Sequence, residues 1–197
     1  MCEFKAKSGR RKEILNAAKT VFLEKGFEKT TMEEIIAKTT LSKGGVYYHY
    51  SNTTDILHDL MLEGIFYRIQ IIRDSKRYAE VWDCETLAEM LVDKMLDESE
   101  LMSLYVIFLQ ASQRNKELKE LFIQLKEENR KAMYAAFGAS NAELSARLYS
   151  DFMLAFMNAI MLGAEVLSAR ETLCRNRSIL KSMILLALNS VEEASKE

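Results

Sequence analysis

Hydrophobic positions along the 197-residue chain recur at helical rather than strand spacing, almost from end to end. Residues 8–25 carry Ile14, Leu15, Ala18, Val21 and Phe22 at that spacing, and Gly26 follows as a natural helix-ending residue. The next stretch opens T-M-E-E. A Thr31 hydroxyl and a Glu34 carboxylate three residues apart can satisfy each other's free amides, which predicts a short helix through about Lys38 that buries Ile35 and Ile36. A turn at Thr39–Leu41 leads to Ser42, the cap of a third short helix, SKGGVYYHY. Asn52 or Thr53 caps a fourth, long helix to about Ala79, with Ile56, Leu57, Leu60, Met61, Gly64, Ile65, Ile71 and Ile72 on its apolar side. The remainder reads as helices at roughly 84–98, 101–113, 115–137, 142–170 and 176–194, about nine in all.

Composition sharpens this into an all-α fold. There is no proline, where average usage would give about ten, and glycine is scarce at 7. Sandwiches and barrels depend on both residues for their turns. The expected division is a three-helix domain at 1–52 followed by a larger helical body at 53–197, with the fourth helix joining them and no flexible linker. The net charge of −2 hides an asymmetry. Residues 1–50 hold 10 Lys and Arg against 6 acids, and residues 51–197 hold 17 against 23. A basic head on an acidic body suits a protein that offers one end to phosphates, although chance clustering gives such a split as readily when no motif accompanies it.

Chemistry of other kinds finds little support. Cys2, Cys84 and Cys174 share no metal or redox spacing and read as ordinary thiols of a reducing cytoplasm. Cys84, Cys174, His49 and His58 are too scattered for a ligand set or a nucleophile–base pair, and no Gly-rich phosphate loop or nucleophile elbow occurs. Neither an enzyme, a metal site nor a cofactor is expected. The N-terminus lacks an apolar signal region, and the stretch Phe152–Leu167 is interrupted by Asn158 and Glu165, short of the ~20 residues that span a bilayer. The expectation is a soluble, cytoplasmic chain that does not engage membranes.

Two short helices joined by a tight turn, after a longer packing helix, form a helix-turn-helix layout. In its second helix Val46 is the anchor, leaving Ser42, Lys43, Tyr47, Tyr48 and His49 to point outward. Exposed tyrosines beside a lysine suit DNA: the rings pack on sugars and thymine methyls, and the hydroxyls bond phosphate oxygens.

From about Arg10 to Leu57 the sequence strongly resembles the TetR family of bacterial repressors. The resemblance, which covers about a quarter of the chain, is carried by Ala18, Phe22, Gly26 and Phe27, by the Thr-Thr helix start, and by S-K-G-x-aliphatic-Y-Y-H-aromatic. It implies a phosphate contact for Thr31 at a helix N-terminus, base-edge contact for Lys43, base and backbone contact for Tyr47, and phosphate contact for Tyr48 and His49. Tyr50 takes the place of the aromatic plug between the recognition helix and the fourth helix. The full set expected at DNA is Thr31, Ser42, Lys43, Gly44, Gly45, Tyr47, Tyr48, His49 and Thr53. Three positions depart from the family pattern. Thr40 stands where the turn usually has Gly, Gly45 where a hydroxyl is common, and Thr53 where a lysine is frequent. These predict a differently shaped turn, a loosely ordered recognition helix and modest affinity.

In the body, the helices around Phe152–Leu167 and Met183–Leu188 are apolar almost all round, so they are buried either within their own protomer or against a second copy. The family resemblance implies the second, an isologous homodimer with Phe152, Phe156, Gly163, Leu167, Ile184 and Leu188 at its face. Met61, Ile65, Trp82, Met102, Tyr105, Phe108 and Phe137 are either plain core or the lining of an adaptable apolar pocket, with Gln110 and Asn158 as polar contacts. Glu165, if buried, needs a cation: a ligand, or Arg170 or Arg147 of the protein itself. The function these expectations describe is a dimeric repressor of a near-palindromic operator in double-stranded DNA, released by a small, largely hydrophobic effector. The other reading is a helical ligand carrier or protein-interaction dimer with a vestigial head.

Overall fold

In a computed structural model the described residues are 2–74, 83–137 and 147–189, and among them all regular structure is α-helical. The order is α1 (Cys2–Lys25), α2 (Met32–Ala37), α3 (Lys43–Tyr47), α4 (Thr53–Asp74), α5 (Cys84–Met95), α6 (Glu100–Ser112), α7 (Lys116–Phe137), α8 (Asp151–Val166), α9 (Arg170–Arg175) and α10 (Arg177–Asn189). Ten helices are therefore described where about nine are expected. Among the described residues no helix is long and apolar enough to cross a membrane.

Helix starts follow local chemistry. Gly26 takes φ of 79°, as a helix-ending glycine does, and its amide closes on the Phe22 carbonyl at 2.9 Å. Thr31 and Glu34 form the capping box of α2, Ser42 caps α3, and Ser99 and Ser150 cap α6 and α8. At α4 the cap is Asn52, whose side chain accepts the Asp55 amide at 2.8 Å.

The stretch expected as one helix over 142–170 is divided. Residues 142–146 lie outside the described residues, α8 begins at Asp151, and Ser168 at φ 55° breaks the chain before α9. No Gly or Pro announces that break. A distant anchor accompanies it: the Arg170 guanidinium donates to the Leu96 and Asp97 carbonyls at 2.7 and 2.9 Å, beyond the end of α5, and pairs with Glu165 of α8.

The chain groups into two units. The first comprises residues 1–67 with 99–127 and the second residues 68–98 with 128–197. In the first, Ile14, Ala18, Val21 and Phe22 of α1 join Ile35, Val46, Ile56, Leu57 and Leu60 in one core that continues through Leu104, Phe108 and Leu118. In the second, α5 packs against α10 and α8 and buries Leu87, Leu91 and Met95, and a methionine row, Met153, Met157 and Met161, is buried along α8.

Candidate nucleic-acid interface

The recognition segment is a short rod fixed from one side. Val46 is fully buried and Tyr50 is 4% exposed, and these two lie four residues apart on one helical face. The opposite face carries Lys43, Tyr47 at 39% exposure and Tyr48 at 70%. Ser42 and Gly44 are exposed, and Gly45 and His49 half-buried. Ser42 also serves the rod itself, because its hydroxyl accepts the Gly45 amide at 3.2 Å. The Tyr48 and His49 rings meet edge to face at 5.1 Å.

Three acidic residues shape this surface, and none of them stands out in the sequence as part of a site. Glu33 of α2 accepts from the Lys43 ammonium at 3.1 Å, which holds the carboxyl below and the ammonium above their usual ranges. The same ammonium lies 5.7 Å from the Tyr47 ring centre. Glu34 accepts from the Thr31 amide at 3.0 Å and from its hydroxyl at 3.2 Å, and pairs with Lys25. The Thr31 donors expected for a phosphate are thus occupied within the chain. Glu13 of α1 accepts the Thr40 amide at 2.5 Å and its hydroxyl at 2.8 Å. Thr40 does not adopt a positive φ; among the described non-glycine residues only Ser168 does. A carboxylate 27 positions away, with the Thr39 hydroxyl accepting the Leu41 amide at 3.3 Å, satisfies the turn that glycine usually makes. Thr53 is the first residue of α4, half-buried.

Of the residues considered for an effector, Met61 and Phe108 belong to the core of the first unit, with Ile65 and Tyr105 packed against it. Met61, Met102 and Phe108 are buried, and Ile65 and Tyr105 half-buried, in the first unit. Phe108 there packs against Tyr105 and Phe122 with ring centres 6.3 and 6.2 Å apart. Asn158 is half-buried in the second unit. Gln110 is corrected: it faces solvent near the end of α6. Trp82 and the Phe137 side chain lie outside the described residues. Glu165 has its cation in Arg170.

Of the residues expected at a dimer face, Phe152 is 60% and Leu167 76% exposed, while Phe156 and Gly163 are half-buried. Ile184 and Leu188 are corrected. Both are fully buried within one protomer, so a second copy cannot reach them. The apolar side chains that α10 exposes are Ile179, Met183 and Leu186. An all-round apolar helix gives no periodicity from which to choose its inner side.

Residues 14–60 match the model of the bacterial regulatory proteins of the tetR family. The chain is 38% identical over 76 residues to the uncharacterized HTH-type transcriptional regulator YfiR of Bacillus subtilis, across 39% of this chain and 37% of that one. It is 31% identical over 68 residues to the HTH-type transcriptional repressor BepR of Brucella suis, across 34% and 32%. The matched stretches thus span about a third of these relatives' length. In fold, the chain resembles Salmonella enterica GusR at a TM-score of 0.68 and 20% identity, over 92% of this chain and 96% of that one. Residues 14–60, a capped helix-turn-helix with its polar face outward, thus match the DNA-binding segment of the tetR family of bacterial regulatory proteins, and the chain shares its all-helical fold with GusR along nearly the whole length.

Proposed function

We propose that the chain is a transcriptional repressor that binds a near-palindromic operator as a homodimer and releases it when a small, largely hydrophobic effector enters the helical body. The observation that carries the DNA-binding part is the outward face of the recognition segment: Lys43, Tyr47 and Tyr48 exposed on a rod anchored by Val46 and Tyr50. Cations and aromatic hydroxyls arranged this way bond phosphates and base edges. The repressor direction is supported by the resemblance to BepR. The dimer is supported by two neighbouring helices of the second unit, α8 and α10, which expose Phe152, Ile179, Met183 and Leu186 to solvent in a single protomer. Two-fold symmetry would then present two heads to two half-sites. Effector release would follow from an effector that binds better to a body whose α4 helices hold the heads away from the operator spacing.

Selection of duplexes from a randomised pool, followed by titration at several salt concentrations, tests this. The repressor is expected to select an inverted repeat and to lose affinity steeply with salt, about 0.9 in the log–log slope for each phosphate neutralised. Lys43→Ala and Tyr47→Ala should weaken that binding at least several-fold while the protein stays dimeric. Failure to select any sequence at low salt would leave the ligand-carrier reading in its place.

A further inference from the structure

The recognition segment has little to hold its orientation from within. α3 is five residues long and includes Gly44 and Gly45, and glycine is the poorest helix former after proline. Its buried attachment to the rest of the first unit runs through Val46 and Tyr50, beside one exposed ion pair from Lys43 to Glu33 of α2. Val46 packs without directional bonds. Tyr50 is different: its ring is buried and its hydroxyl donates to Asp59 Oδ2 at 2.6 Å. Arg11 Nε donates to the same carboxylate oxygen at 2.8 Å and to the Tyr50 hydroxyl oxygen at 2.9 Å, and the guanidinium lies 5.4 Å from the Tyr50 ring centre. Three elements, α1, α4 and the end of the recognition segment, therefore converge on one hydroxyl group. Burial, reinforced by Asp59, pushes the Tyr50 hydroxyl's pKa up, so the group remains a donor, and the Asp59 carboxylate keeps Arg11 charged. Asp59 itself is 16% exposed, with its carboxylate directed to Tyr50 and Arg11.

We propose that Asp59 is a positioning residue for DNA recognition: through the Tyr50 hydroxyl it fixes the rotation of the recognition segment about its own axis, and with it the direction of Lys43, Tyr47 and Tyr48. A short helix resting on one aliphatic anchor can roll, and successive residues point about 100° apart around the axis, so a modest roll takes a side chain off its base edge. A directional hydrogen bond one turn beyond Val46 removes that freedom. This inference rests on the DNA-binding reading above, and its test separates the two.

Tyr50→Phe, Asp59→Asn and the double variant are to be compared with the wild type as full-length protein, using the duplex that the wild type selects and an unrelated duplex. The single variants are expected to bind the selected duplex about tenfold more weakly, the scale of one charge-assisted hydrogen bond. Unrelated duplex should bind as before, and the salt slope should not change, because no phosphate contact is removed. The double variant should be within about twofold of the weaker single one, as members of a shared network are. Amide exchange of residues 43–50 should quicken in each variant while that of Val21 and Phe22 holds. Binding equal to wild type, an equal loss on both duplexes, or multiplied losses overturns the proposal, and so does unchanged exchange. If the wild type selects no sequence, the regulator reading fails and amide exchange alone decides whether Asp59 orders the segment. Tyr50→Phe removes a single oxygen, so it carries the test if Asp59→Asn does not fold.

Discussion

Gly44 and Gly45 adjoin each other in the recognition helix and meet different surroundings. A Cβ added at Gly44 would meet nothing within 4 Å, whereas one at Gly45 would lie 3.3 Å from the Ser42 hydroxyl oxygen and 3.7 Å from Leu41 Cβ. Gly44→Ala should therefore realise most of the roughly 1 kcal/mol by which alanine favours a helix over glycine. Gly45→Ala should gain little, because its methyl presses on the cap. Thermal unfolding of the two variants checks this, with a higher Tm expected for the first alone. The local signals at this scale were legible beforehand: Thr31 with Glu34, Ser42, and Gly26 with its positive φ each show themselves within a few residues of sequence. The turn at Thr40 was not, because the carboxylate that satisfies it comes from Glu13 in another helix. Lys43 was legible as a cation and illegible as a cation already paired with Glu33.

Between elements, charge does what periodicity does not announce. In the second unit, Glu85, Glu89 and Asp93 project from α5 at four-residue intervals and meet Arg177 and Lys181 of α10. Arg177 reaches Asp93 at 2.5 Å and Glu89 at 3.3 Å, and Lys181 reaches Glu85 at 2.9 Å and Glu89 at 3.3 Å. Burial works to raise the Glu89 pKa, but hydrogen bonds from Arg177 and Lys181 outweigh it and hold the carboxyl below its usual range. A carboxyl depressed in the folded state contributes stability that is complete above its unfolded pKa of about 4.3 and is lost as pH falls through the lower folded value. Glu89→Gln should accordingly lower Tm by about 1–3 °C at pH 7, with the difference from wild type closing below about pH 4. An equal deficit at pH 3 would show that the residue acts by packing instead. Spacing in the sequence reveals the acidic row, but which helix supplies its cations is a matter of tertiary arrangement. The same holds for the break at Ser168, where Arg170 is tied to carbonyls more than seventy residues earlier.

For the molecule as a whole, the exposed apolar side chains of α8 and α10 bear on assembly. If a second copy covers them, Met183→Asp with Leu186→Asp should yield a monomer in sedimentation at micromolar concentration. Operator affinity should fall by at least tenfold with it, because one half-site remains per particle. A double variant that stays dimeric would move the interface elsewhere. A further consequence follows from the way Thr31 is held. Its amide and hydroxyl already have an anion in Glu34, seated at the N-terminus of α2 and secured by Lys25. On the proposed DNA-binding reading, a phosphate reaching Thr31 would have to displace that carboxylate, and docking there would exchange one oxyanion for another. Glu34→Gln should then cost the folded head some thermal stability and yet tighten its grip on duplex, since the departing group no longer carries a charge that the phosphate must evict.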